Sequence, residues 1–145
     1  MITKRRGITR TVFITKRYAI KIPSLRSYGN GFAGILWSMC RGILANQSEA
    51  EWWRHSHDPA MCPVLHSFFG GIVNVYPRCE PFTCTEEQEL AMHSGEWIPV
   101  TTKFGRLPGD NKPENFGILD DTVVLLDYDM NWNGCPHDRS GRQVS

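Results

Sequence analysis

The sequence predicts an α+β domain: an antiparallel sheet carrying one large helix. Two observations predict it. Short β-branched and aromatic runs come in pairs separated by turn residues, and one long stretch of helical period stands between the first and second pairs. A length of 145 residues and a hydrophobic fraction of 41% suit one globular domain with a modest core.

Thr11-Val-Phe-Ile-Thr15 reads as a strand. Arg17-Tyr-Ala-Ile-Lys-Ile22 alternates, stops at Pro23, and is joined to the first run by the short Thr15-Lys16 link of a hairpin. Ser27-Tyr-Gly-Asn-Gly31 is a loop by composition. From about Ala33 to His55, the residues Leu36, Cys40, Ile43 and Leu44 recur at three- and four-residue spacing, the stripe of a half-buried helix. Gly34 and Gly42 count against an unbroken helix, each costing about 1 kcal/mol against alanine. Trp52, Trp53 and Phe68 are expected to pack the helix on the sheet. Neighbours on a helix point about 100° apart, so one of the two tryptophans is expected to meet a second surface.

Val64-Leu-His-Ser-Phe-Phe69 and Gly71-Ile-Val-Asn-Val-Tyr76 read as a hairpin around Gly70-Gly71. Pro77 and Pro81 bracket a connector. Thr85-Glu-Glu-Gln-Glu-Leu-Ala-Met92 opens with a threonine cap and early acids, a helix start. Residues 105–109 are loop. Phe116-Gly-Ile-Leu119, the turn Asp120-Asp121 and Thr122-Val-Val-Leu-Leu126 form a third hairpin, and the polar tail from Asn131 is expected to be irregular.

A net charge of +1 argues against general nucleic-acid coating. Yet every charged residue through Arg26 is basic. Such an end suits phosphates, an acidic protein partner or nucleic acid, or else a solvated sheet edge, where lysine discourages strand pairing. No run approaches the ~18 apolar residues of a membrane span, and the start lacks a signal core, so a cytoplasmic protein off the membrane is expected. Five cysteines show no disulfide framework. Neither Cys62 with His66 nor Cys135-Pro-His137 supplies the two tight pairs of a structural zinc site.

Three motifs carry a resemblance. Tyr18-Ala-Ile-Lys21 resembles the Val-Ala-Ile-Lys strand of protein kinases, Gly109-Asp-Asn-Lys-Pro-Glu-Asn115 their catalytic loop, and Val123-Val-Leu-Leu-Asp127-Tyr-Asp129 the strand entering their Asp-Phe-Gly motif. The catalytic-loop spacing of Asp to Asn is kept by Asp110 and Asn115, and Lys112 falls where protein kinases commonly carry a lysine. The resemblance covers residues 11–129. It implies a kinase-like N-lobe over 1–76, a hinge-like connector over 77–84, a much reduced C-lobe with a catalytic-loop hairpin over 85–130, and a tail over 131–145. It implies ATP and Mg2+ as cofactors. Lys21 would contact the α- and β-phosphates, held by Glu49, which is favoured over Glu51. The two glutamates stand about 200° apart on a helix, so only one faces the sheet. Asn115 and Asp127 would supply hard oxygen donors to magnesium. Asp110 would orient an acceptor hydroxyl and take its proton, and Lys112 would neutralise the transferred phosphate.

The departures from that family are specific. No glycine-rich loop precedes the lysine strand, so a missing or shortened first strand is expected. Pro108-Gly109 stands where His-Arg would precede Asp110, and only 16 residues follow Asp129, too few for an activation segment and a large helical lobe. Three functions are therefore carried forward: an ATP-dependent phosphotransferase acting on a protein or small-molecule hydroxyl, a pseudokinase-like module regulating a partner protein, and a nucleic-acid-binding inhibitor using the basic strands. The size is similar to that of small phage and mobile-element proteins.

Overall fold

The computed structural model describes residues 2–7, 9–26, 31–103 and 111–128. In chain order the elements are β1 (Thr3–Arg6), β2 (Arg10–Ile14), β3 (Tyr18–Pro23), α1 (Gly31–Ser56), β4 (His66–Phe68), β5 (Val73–Pro77), β6 (Glu80–Pro81), α2 (Glu86–Ser94), a 3-10 turn (Pro113–Asn115), β7 (Phe116–Leu119) and β8 (Thr122–Leu125). The fold is a mixed α+β arrangement. One antiparallel sheet has the order β1-β2-β3-β5-β4, and a smaller one has the order β6-β7-β8.

Local chemistry explains the turns. Asp120 and Asp121 adopt φ 48° and 62°, so the hairpin pairing Leu119 with Thr122 closes on a turn whose two central residues are both left-handed. The β4–β5 turn runs over residues 69–72, where Phe69, Gly70 and Gly71 all have positive φ. Thr85 caps α2 by accepting from the Gln88 amide while the Gln88 side chain accepts from the Thr85 amide, and Gly95 ends the helix at φ 77°. The first strand, expected to be missing or shortened, is present as four residues paired along β2.

Helix α1 is unbroken, and its buried stripe is not the one its periodicity predicts. Leu36, Cys40 and Leu44 are exposed and Ile43 is partly so. The face against the sheet carries Gly34, Ser38, Gly42, Ala45, Asn46, Glu49 and Ala50. Close approach is the reason. A Cβ on Gly42 would stand 2.4 Å from the Thr9 carbonyl oxygen and 2.8 Å from the Pro23 Cα, so at that point only glycine fits.

Trp52 leaves this interface and enters a core with Met61, Met92, Phe116, Leu125 and Tyr128, seating the end of α1 on the second sheet and α2. Trp53 packs partly against the same core, 5.3 Å from the His57 ring. Phe68 does not help seat the helix. It is 46% exposed on the edge strand β4, with its ring 5.7 Å from that of His66. Past α1 the chain runs beside β8: the Leu125 amide donates to Ala60 O (2.8 Å) and the Cys62 amide to Leu125 O (2.9 Å). That contact brings the end of the second sheet up to β3 and α1. Among the described residues, no helix is long and apolar enough to cross a membrane.

Candidate functional site

Lys21 sits in the middle of the first sheet, buried on β3 and facing α1. Its ammonium donates to Glu49 Oε1 and Oε2 at 3.1 and 2.9 Å and to the Leu126 carbonyl at 2.6 Å, and lies 4.6 Å from the centre of the Tyr76 ring. Glu49, not Glu51, is the partner. Glu49 is fully buried, whereas Glu51 is partly exposed further round the helix. The small residues along α1 let the backbone come close enough for a glutamate to reach the strand lysine.

A polar relay fixes Glu49. The Tyr76 hydroxyl donates to Glu49 Oε2, and the Tyr128 amide donates to Oε1 at 3.3 Å. Asn74 Nδ2 donates to the Tyr76 hydroxyl (3.1 Å) and to Asn46 O (2.8 Å), while Asn46 Nδ2 donates to Gly71 O (2.9 Å). Burial, reinforced by the neighbouring Glu49, pushes the Tyr76 hydroxyl well above its ordinary pKa, so it stays a donor.

Arg10 is the site residue that sequence reasoning missed. It stands at the first position of β2, 6% exposed, and its guanidinium bridges Glu49 Oε1 (2.8 Å) and Asp127 Oδ1. Two cations and two carboxylates thus form one group. Burial pushes the Asp127 carboxyl up, but Arg10 and then Lys21 outweigh it and hold it well below the usual carboxylate range. The Asp127 side chain remains 42% exposed.

Arg10, Lys21 and Asp127 line one cleft of about 1110 Å³ between β1–β3, the segment after β5, and the 3-10 turn, with Glu49 buried behind them. Lys21, Lys112, Asn115 and Asp127 all line it, as do Arg5 and Arg10. The Leu126 amide donates to Asn115 O at 2.7 Å, which holds the residue before Asp127 beside the turn. Asp110 and Asp129 lie outside the described residues. Cys62 and Cys79 also line the cleft, with their sulfurs 3.5 Å apart. The hydrogen bond between them pulls Cys79 below its ordinary pKa and, with burial, pushes Cys62 up.

Arg5, Arg10, Lys21, Arg78 and Lys112 line the cleft against Glu80, Glu114 and Asp127, so its wall carries an excess of positive charge. Magnesium fits the described residues poorly. No three His, Cys, Asp or Glu side chains among them converge as a metal-holding group, and the Asp127 carboxylate already carries a fixed cation, Arg10. Comparison of the chain with protein-family models, with curated proteins and with solved structures finds no match.

Proposed function

We propose that this chain is a kinase-like nucleotide-binding protein whose cleft takes ATP. The observation that carries the reading is the buried pair of Lys21 on β3 with Glu49 on the following helix, set beside Asp127 in a cleft lined by cations. Protein kinases use a lysine on their third strand, paired to a helix glutamate, to hold the α- and β-phosphates. A polyphosphate needs positive charge beyond the neutral group of Arg10, Lys21, Glu49 and Asp127; Arg5, Arg78 and Lys112, set against Glu80 and Glu114, supply it on the cleft wall, while the relay through Tyr76 and Asn74 holds Lys21 in place. Lys112 lines the same cleft and would meet the terminal phosphate. Transfer to a protein or small-molecule hydroxyl rests on Asp110 as the group that orients the acceptor.

One observation favours the second reading, a pseudokinase-like module that binds nucleotide without transfer and acts on a protein partner. Asp127, expected to serve the metal, is engaged by Arg10. Calorimetric titration of wild type and Lys21→Met with ATP tests the shared core of both readings. Wild type is expected to bind, and Lys21→Met to bind about tenfold or more weakly, the loss of one charge-assisted contact. No binding of ATP by the wild type would sink the proposal. Labelled ATP with a range of acceptors, run on wild type and Asp110→Ala, then separates the two: transfer lost in Asp110→Ala identifies an enzyme, and binding without transfer in the wild type identifies a module.

A further inference from the structure

We infer that Arg10 takes the place of the divalent cation at Asp127, so that nucleotide binds this cleft through Arg10 and Lys21 without needing a metal. The inference rests on the nucleotide reading above and says how the phosphates are held.

Charge is the first argument. A divalent cation in a phosphate site offsets the repulsion between an aspartate and the incoming anion. Here that offset is built into the chain. Arg10 and Lys21 face Glu49 and Asp127, so the group is neutral before any ligand arrives. A divalent ion placed on Asp127 would stand next to a guanidinium that cannot give up its proton. The metal would have to repel Arg10 or displace it, and displacement would leave Glu49 and Asp127 buried or half-buried without their bridge.

Position is the second argument. Arg10 follows directly on the short β1–β2 link, the place where the family resemblance would put a glycine-rich loop over the phosphates. The link is tight: the Gly7 amide donates to Arg10 O (2.8 Å) and the Ser24 amide to Thr9 O (2.8 Å). That backbone aims the Arg10 side chain inward across the sheet to Asp127, 117 residues later in the chain. The same guanidinium lines the cleft beside Lys21 and Asp127. A planar guanidinium holds carboxylate and phosphate oxygens with equal ease, so it can stabilise both at one point.

Affinity for ATP, and for tripolyphosphate as a probe lacking base and sugar, is measured on the full chain by calorimetry with magnesium and with EDTA. Wild-type affinity is expected to agree within about threefold between the two conditions. Arg10→Gln is expected to lose about tenfold or more of the EDTA affinity and to become magnesium-dependent, because Asp127 is then free to take the ion. Arg10→Lys keeps a charge there and, if Arg10→Gln fails to fold by circular dichroism, carries the test: its binding stays magnesium-independent. Wild-type binding that strengthens by more than about tenfold on adding magnesium overturns the inference and leaves the nucleotide reading standing. So does unchanged EDTA affinity in a folded Arg10→Gln. Absence of binding under both conditions overturns the inference together with the nucleotide reading.

Discussion

Replacing Glu49 by glutamine changes almost nothing in shape and a great deal in charge. In the native protein Glu49 is fully buried, takes hydrogen bonds from Lys21, the Tyr76 hydroxyl and the Tyr128 amide, and forms an ion pair with Arg10. Glutamine has one acceptor oxygen, and its amide nitrogen would face the donors that the second carboxylate oxygen served. Two cations would then share the single carboxylate of Asp127. Removing one partner of a buried pair costs about 3–5 kcal/mol, a large part of the roughly 5–15 kcal/mol that holds a domain folded. With a urea dependence of about 1–3 kcal/mol per molar, the unfolding midpoint should fall by about 2 M. Equilibrium urea unfolding followed by tryptophan fluorescence reads this directly, since Trp52 is buried at the end of the same helix. Glu51→Gln is the control and should stay within about 0.5 kcal/mol of wild type. The double variant Lys21→Met/Glu49→Leu should recover part of the loss, because an apolar pair of similar volume leaves fewer charges stranded. Equal stability of the two single glutamine variants would refute the placement of Glu49 at the centre of the charge group.

Gly42→Ala should destabilise by about 1–3 kcal/mol despite alanine's helical advantage, because the new methyl meets backbone atoms of Thr9 and Pro23; a more stable variant in thermal melts would contradict the close helix–sheet approach. The depressed Asp127 carboxyl contributes stability that is complete above about pH 4 and is lost as pH falls toward its folded value. Asp127→Asn should therefore lose stability less steeply in acid, and coincident slopes for the two proteins would be evidence against the Arg10 pairing. On the alkaline side, Tyr76 and Tyr128 are held protonated by burial and should not ionise in ultraviolet absorbance until the chain unfolds. Glutathione disulfide should convert the Cys62 and Cys79 thiols to one intramolecular disulfide, with two glutathione molecules released as thiols, and peptide mapping that links Cys40 or Cys84 instead would place the segment after β5 elsewhere.

Turns and caps were legible in the sequence because their chemistry is local. Asp120-Asp121, Gly70-Gly71 and the Thr85 cap each act within a few residues, and each lies where its composition predicts. Lys21 and Glu49 were legible as a pair only through resemblance, since their spacing of 28 residues carries no local signal. The face of α1 was misread for a physical reason. Periodicity counts large apolar residues, but where a helix lies close on a sheet the buried positions must be small, which turns Leu36 and Leu44 outward. Arg10 was hidden differently. It is one basic residue in a basic run, and nothing near it in sequence indicates that its partner is Asp127.

That long separation bears on how the chain comes off the ribosome. At roughly 5–20 residues per second, Arg10 is made on the order of ten seconds before Asp127. In that interval β1–β3 and α1 can assemble, since their partners lie close in sequence, but Arg10 and Lys21 have only Glu49 between them. The nascent sheet therefore carries one unbalanced positive charge at its centre until the final hairpin arrives. Water or a solvent anion must screen that charge meanwhile. Among the described strands β8 is made last, and only as it docks beside residues 60–62 does Asp127 reach Arg10 on β2.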